Sequence, residues 1–501
     1  MSDPSSLNIP IHTALTSDMM LGLKPSAPRS RSYRINIAPL NKNIFVGGDQ
    51  MIFELPTGRR GTWLDQSQSY LKFSVQCTTT AAASSQALST GVNIENTAYS
   101  FIQRFDLYHS SNLLESINEY GQLSNFLIDT SLTQSDKAGL SAMIGSNGLN
   151  SYYALSSSYV SPATYAASTT YPITSTAVPI QVAGDRSGQS IATTTSMSTA
   201  VPYTYCLPLL SGVIGVNASK MLPMGILASP LRLEMYLSAN DDAIYYGTAG
   251  AGAVWQIVNA ELVVCYVELQ DDLFDHQAGP DEVEYISTTT YRQASSILPT
   301  ATSGEYTTML PFRAASITGL YARFRPYVSA VQGANSTAAY RKSSSVNPNF
   351  SQYYFRIGSS IYPNKPVYLL TSLVGNGSEG YAELLKSFHA LSSSIGNSSL
   401  TYSQYNVTTT ATSGMSANIA PASQATAVGT SNNAFGIGLE CQSFSNRNDT
   451  ILSGISTLNS QIYFTANIYP GSTAAANFTC DFFAQMDMIL CIQNGIMRAK
   501  F

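Results

Sequence analysis

Leu231-Arg232-Leu233-Glu234-Met235-Tyr236-Leu237 alternates apolar and polar residues without a break. Successive side chains of a β-strand point to opposite faces, so this period of two puts Leu231, Leu233, Met235 and Leu237 on one side. The segment reads as a strand with one buried face. The runs Ile257 to Leu269 and Phe482 to Ile492 look the same, and Gln461 to Ile468 alternates as well. Strands of this kind belong to sandwiches, in which two sheets bury one face each against the other.

The composition agrees. Of 501 residues 44% are hydrophobic, which excludes wholesale disorder, yet only 11% are charged where soluble domains average about 25%. Ser, Thr, Asn, Gln and Tyr must therefore cover most of the surface. With 31 Tyr, 34 Gly and 22 Pro, the chain favours strands joined by loops over long helices. Its length is several times that of one typical domain and predicts at least two cores.

The acidic stretch Glu268, Asp271, Asp272, Asp275, Asp281, Glu282 and Glu284 is interrupted by Gly279 and Pro280. Like charges around a Gly-Pro break describe a solvated linker, and EF-hand spacing is absent. The expected organisation is an N-terminal arm over 1–36, a first β domain over 37–275, an acidic linker over 276–286 and a second β domain over 287–501. A weak duplication supports it. A helix candidate near Asn118 to Ile128 is followed by Ser211-Gly212, an alternating strand, and the strand Val258 to Leu269. A second candidate, with Tyr381, Leu384, Leu385, Phe388 and Leu391 on one face, is followed by Ser453-Gly454, an alternating strand and the final strand. Two copies of one β module produce this order.

In the arm, Leu15, Met19 and Leu23 recur at four-residue spacing, as on one face of a short helix; a frayed terminus and a segment that orders against a neighbouring subunit are the two readings. Lys24, Arg29, Arg31 and Arg34 form the local basic excess; an ordinary soluble arm or a contact to another protein is one reading, and they are also candidates for a contact to DNA. The net charge of −5 limits any such contact to a weak, local one. Three uncharged or nearly uncharged stretches rich in Ser, Thr and Ala, near 78–92, 161–200 and 407–432, read as long outer loops.

Signals for chemistry are missing. His12, His109, His276 and His389 are isolated from one another, and the six cysteines form no CxxC pair, so neither a metal site nor a cofactor is expected. Gly212-Val213-Ile214-Gly215 lacks the Lys and Ser of a phosphate cradle, and Gly58-Arg59-Arg60-Gly61 reads as a turn between strands. Asp241 and Asp242 are adjacent, which would send them to opposite faces of a strand, and a loop position is the simpler reading. The first twenty residues lack the features of a signal peptide and no stretch approaches ~20 apolar residues, so no membrane span and a cytosolic or nuclear site of synthesis are expected.

Several segments resemble the major capsid proteins of Polinton-like viruses, adintoviruses and virophages. They are Leu55-Pro56-Thr57-Gly58 with Trp63 to Phe73; Leu207-Pro208-Leu209-Leu210-Ser211-Gly212-Val213-Ile214-Gly215 with Leu222-Pro223-Met224; Tyr354 to Ser359 with Tyr362-Pro363; Ser453-Gly454-Ile455; and the tail from Asp481-Phe482-Phe483 to Asp487, closing on Asn494-Gly495. The resemblance spans residues 50 to 501. It implies an all-β fold of two tandem eight-stranded jelly rolls with short helices in loops. It further implies a non-enzymatic homotrimer forming pseudo-hexagonal capsomers of an icosahedral DNA virus. The expected partners are neighbouring capsomers, penton and minor capsid proteins, and the expected location is the virion, assembled in the host cytoplasm or nucleus. A fibre, spike or adhesin binding a receptor or glycan is the alternative from another functional class, and a β-sandwich carbohydrate enzyme is a third.

Overall fold

The computed structural model of the protein describes residues 29–78, 91–146, 189–194, 196–218, 220–245, 253–269, 284–298, 304–326, 345, 347–348, 350–369, 377–388, 398, 400, 405, 434–442, 452–468 and 478–501. The first half contributes β1 (Ser30–Ile37), β2 (Ile44–Val46), β3 (Gln50–Leu55), β4 (Thr62–Thr78), β5 (Gly91–Ile94), β6 (Ile102–His109), β7 (Asn112–Asn118), β8 (Ser190–Thr194), β9 (Tyr203–Pro208), β10 (Leu231–Leu237), β11 (Ile244–Tyr245) and β12 (Val254–Leu269). The second contributes β13 (Glu284–Leu298), β14 (Gly304–Leu310), β15 (Ile317–Pro326), β16 (Phe350–Ile357), β17 (Ser360–Tyr368), β18 (Ile437–Glu440), β19 (Ile462–Ile468), β20 (Phe478–Gln493) and β21 (Ile496–Lys500).

Among the described residues no sheet contains strands from both halves. In the first half, β1-β12-β4 with β9 beside β4 faces a second sheet, β3-β10-β6-β7. In the second half, β13-β20-β15-β18 faces β14-β19-β16-β17. With the short strands β2, β5, β8 and β11 and the terminal strand β21 set aside, each half has eight strands in one shared order. Its first, eighth, third and sixth strands form one sheet, and its second, seventh, fourth and fifth form the other. This is the jelly-roll order, in which two Greek keys close a sandwich. The short strands extend the larger sheet of the first half, and β21 pairs with β20.

The decisive segment behaves as its alternation predicts. Leu231, Leu233, Met235 and Leu237 of β10 are buried, pairing on one side with β3 and on the other with β6. Glu234 departs from the pattern and is buried on the polar face. It bonds Arg232 Nε at 2.8 Å and accepts from Gln50 Nε2 at 2.8 Å, so neighbouring side chains cover it. The core is strongly aromatic. Phe101 packs edge-on against Trp255 at 4.9 Å in the first jelly roll, and Phe464 meets Phe482 at a tilt at 5.2 Å in the second.

Both expected helices form. They are α1 (Tyr120–Ser131) and α2 (Ser378–Ser387), and Leu384 and Leu385 of α2 are buried. Leu391 lies outside the described residues. Asp241 and Asp242 sit in the one-turn helix Asn240–Ala243, and Gly58 to Gly61 form the connection between β3 and β4. Of the long Ser/Thr/Ala stretches, 79–90, 161–188 and 407–432 lie outside the described residues.

Two expected boundaries shift. Residues 30–36, grouped with the arm, belong to β1, which pairs with β12 from Ser30↔Leu269 to Ile37↔Leu262. The alternation Tyr33, Ile35, Ile37 gives this strand its half-buried face. At the linker, residues 276–283 lie outside the described residues and Glu284 already begins β13, paired with Ile492.

Candidate functional site

The two jelly rolls meet along a seam that begins with a local signal. Asn494 and Gly495 both adopt positive φ (51° and 72°), the conformation of a two-residue type I′ turn, whose twist suits a hairpin. The turn folds β21 back onto β20, with Gln493 opposite Ile496. That hairpin reaches the other jelly roll. Met497 N–H donates to His109 Nδ1 at 3.1 Å, and Ala228 N–H donates to Gly495 O at 2.9 Å. With Nδ1 accepting, His109 carries its proton on Nε2 and donates it to Ser229 O at 3.1 Å. Burial lowers the His109 pKa.

At the middle of the seam lies Glu115. Leu107 pairs with Glu115 and Tyr108 with Leu113, so Leu114 is an extra residue in β7. Such a bulge re-aims side chains. The Glu115 carboxylate is buried and accepts from Ser211 Oγ, from Gly212 N–H at 3.1 Å and from Thr290 Oγ1 at 2.6 Å. Thr290 belongs to β13, so the carboxylate ties the two jelly rolls together. No cation pairs with it among the described residues. Burial raises its pKa against the opposing pull of those three donors.

Both Ser-Gly landmarks turn out to serve a carboxylate, the buried Glu115 at Ser211-Gly212 and the half-buried Asp487 at Ser453-Gly454. Ser453 N–H donates to Asp487 Oδ2 at 3.2 Å, and Ser316 Oγ donates to the same oxygen at 2.5 Å while accepting from Gly454 N–H at 2.8 Å. Close approach explains the glycines. A Cβ on Gly212 would sit 2.4 Å from Thr289 O, and one on Gly454 2.2 Å from Ile317 O. Sequence reasoning found the pairs but not their partners, because the carboxylates lie on strands remote in sequence.

An aromatic contact completes the seam. Phe126 of α1 meets Phe388 edge-on at 5.3 Å and Tyr321 at 6.3 Å, while Tyr321 stacks on Phe388 at 4.4 Å. Arg323 lies over the Phe126 ring at 5.3 Å. Beside this contact, α1 and the segment Pro208 to Asn217 face Tyr291, Tyr321 and Phe388 across a cavity of about 420 Å³.

The basic candidates do not form one patch. Arg29 is exposed just before β1, and Arg31 and Arg34 fall on opposite faces of that strand, since they are three positions apart. Arg31 lies over Tyr33 at 5.8 Å, and Arg34 over Tyr70 at 5.5 Å with Nε bonded to Asn36. Lys24, Leu15, Met19 and Leu23 lie outside the described residues. Among the described residues no three His, Cys, Asp or Glu side chains come together as a metal site would require, and no helix is long and apolar enough to cross a membrane.

Three solved structures match along almost their whole length. VP54 of PBCV-1, fitted into a reconstruction of the virophage Sputnik, shares 10% identity, with 96% of this chain and 98% of that chain covered and a TM-score of 0.52. A chain of the Sputnik virophage structure shares 13% identity over 97% and 92%, also at 0.52. The Faustovirus major capsid protein shares 9% identity over 95% and 93%, again at 0.52. The chain is a double jelly roll. No protein-family model matches it, and no curated protein does. In this double jelly roll the likeness to those structures is one of fold.

Proposed function

We propose that this double jelly roll is a major capsid protein, a structural and non-catalytic building block of an icosahedral DNA virus shell. The observation that carries the reading is the superposition of both jelly rolls, over 95% of the chain, on the Faustovirus major capsid protein. Two like sandwiches locked at one seam give each chain two similar lobes, and three chains then fill a six-sided footprint. Closed symmetry forces each contact to recur around the ring. The corner formed by β2 and β12 exposes Ile44, Val46 and Val254, the apolar kind of surface that a neighbouring copy covers.

In this reading the chain resides in the virion after assembly in the host cytoplasm or nucleus. Its partners are two further copies of itself, neighbouring capsomers, and the penton and minor capsid proteins. Leu15, Met19 and Leu23 of the arm order against an adjacent subunit. Lys24, Arg29, Arg31 and Arg34 supply at most weak contact with DNA, because Arg31 and Arg34 point to opposite sides of β1. The fibre or adhesin alternative has no support among the matched structures.

Light scattering on the purified full-length chain tests the reading. A mass of three chains, with a pseudo-hexagonal outline in negative stain, is expected. A monomer at every concentration would sink it.

A further inference from the structure

We propose that the cavity at the seam is a binding site for a neutral, largely hydrocarbon molecule. Its volume of about 420 Å³ falls within the roughly 300–1,000 Å³ of small-molecule sites. Leu127, Ile128 and Leu210 of the first jelly roll face Tyr291 and Phe388 of the second across it. An occupant therefore touches both halves.

The lining selects against charge. No Asp, Glu, Lys, Arg or His is among the described lining residues, so a carboxylate or an ammonium would lose its water and meet no counter-charge. Most of the polar groups there are already engaged. Tyr99 donates to Pro208 O at 2.5 Å, Tyr321 to Gln485 Oε1 at 2.7 Å, Ser124 to Tyr120 O at 2.8 Å and Ser387 to Leu384 O at 2.6 Å. Asn217 is different. Its Nδ2 is buried and has no hydrogen-bond partner among the described residues. That amide is sealed from the cavity, so the open lining offers an occupant few free polar groups and favours hydrocarbon.

Binding that needs the assembled seam stabilises the folded chain by mass action. The test uses the full-length protein with 1-dodecanol as probe and dodecanoate at pH 8 as its charged counterpart. Saturable binding of one dodecanol per chain, a rise in Tm, and at least tenfold weaker binding of dodecanoate are expected. Val216 lines the cavity and is 56% exposed, so Val216→Trp fills the mouth without disturbing the core and lowers dodecanol affinity at least tenfold. Absence of saturable binding, equal affinity for the two probes, or indifference to Val216→Trp in a variant with unchanged ligand-free Tm overturns the proposal. Should that variant fold poorly, the crystal structure of the dodecanol complex decides: an alkyl chain between Leu210 and Phe388 supports the site, and one bound elsewhere refutes it. These readouts are independent of whether the protein forms capsomers.

Discussion

The Thr290 hydroxyl donates to the Glu115 carboxylate at 2.6 Å, joining an edge strand of one jelly roll to an edge strand of the other. Because Glu115 is buried with no cation beside it, the hydroxyl and the Gly212 amide do the work that a counter-charge does elsewhere. Removing one donor leaves the carboxylate under-satisfied. Thr290→Val is expected to destabilise the chain by about 1–3 kcal/mol in urea unfolding.

Glu115 also carries a pH signature. Its folded pKa is raised above the ordinary 4.5, so its contribution is complete below that value and is lost as pH rises through the folded value. Glu115→Gln cannot titrate. The stability of the native chain relative to Glu115→Gln is expected to decline as pH rises from about 4.5, and parallel urea-unfolding curves for the two proteins would contradict this.

His109 acts in the opposite direction. Its folded pKa is lowered, so its contribution is present above the ordinary 6.5 and is lost as pH falls below that value through the folded one. Protonation at Nδ1 also removes the acceptor of the Met497 amide. Hydrogen exchange of that amide should quicken and Tm should fall below pH 6.5. His109→Asn retains an acceptor without titrating and should suppress both effects.

Close approach at the Ser-Gly pairs is testable by adding one carbon. Gly212→Ala and Gly454→Ala each force a methyl group into backbone and should cost about 1–3 kcal/mol or more. Gly139 closes the short helix Gln134–Gly139 with nothing within 4 Å of its would-be Cβ. Gly139→Ala should therefore stabilise by roughly 0.5–1 kcal/mol. Thermal unfolding of the three variants distinguishes a specific clash from a general intolerance of alanine.

The six cysteines are all free thiols. Burial pushes Cys77, Cys441 and Cys480 up to about 12, which leaves almost no thiolate at neutral pH. Under native conditions, mass spectrometry after alkylation should find the half-exposed Cys206 and Cys265 modified first. Modification of Cys480 at the rate of Cys206 would show that the second core opens readily.

Much of the fold was legible because its signals are local. The alternation of Leu231 to Leu237 follows from the two-residue period of an extended chain, and Asn494-Gly495 specifies a hairpin through the backbone angles those residues tolerate. Residues 30–36 read as arm in the sequence because the alternation there is short and follows a Pro- and Ser-rich segment. Pairing with β12, more than 200 positions away, is what makes Ser30–Ile37 a strand.

By itself, the sequence determined where the chain is extended, where it turns, and that one order of landmarks occurs twice, since periodicity and turn chemistry reside in neighbouring residues. Only the tertiary structure decided that Glu115 meets Thr290, that His109 receives the Met497 amide, that Asn217 borders an uncharged cavity, and that Arg31 and Arg34 part to opposite faces. The first three pairings depend on the order of strands across four sheets and on how two sandwiches rest against each other. The last awaited only the recognition that Ser30–Ile37 is a strand. Composition is blind to such distances because they are set by packing between segments hundreds of residues apart.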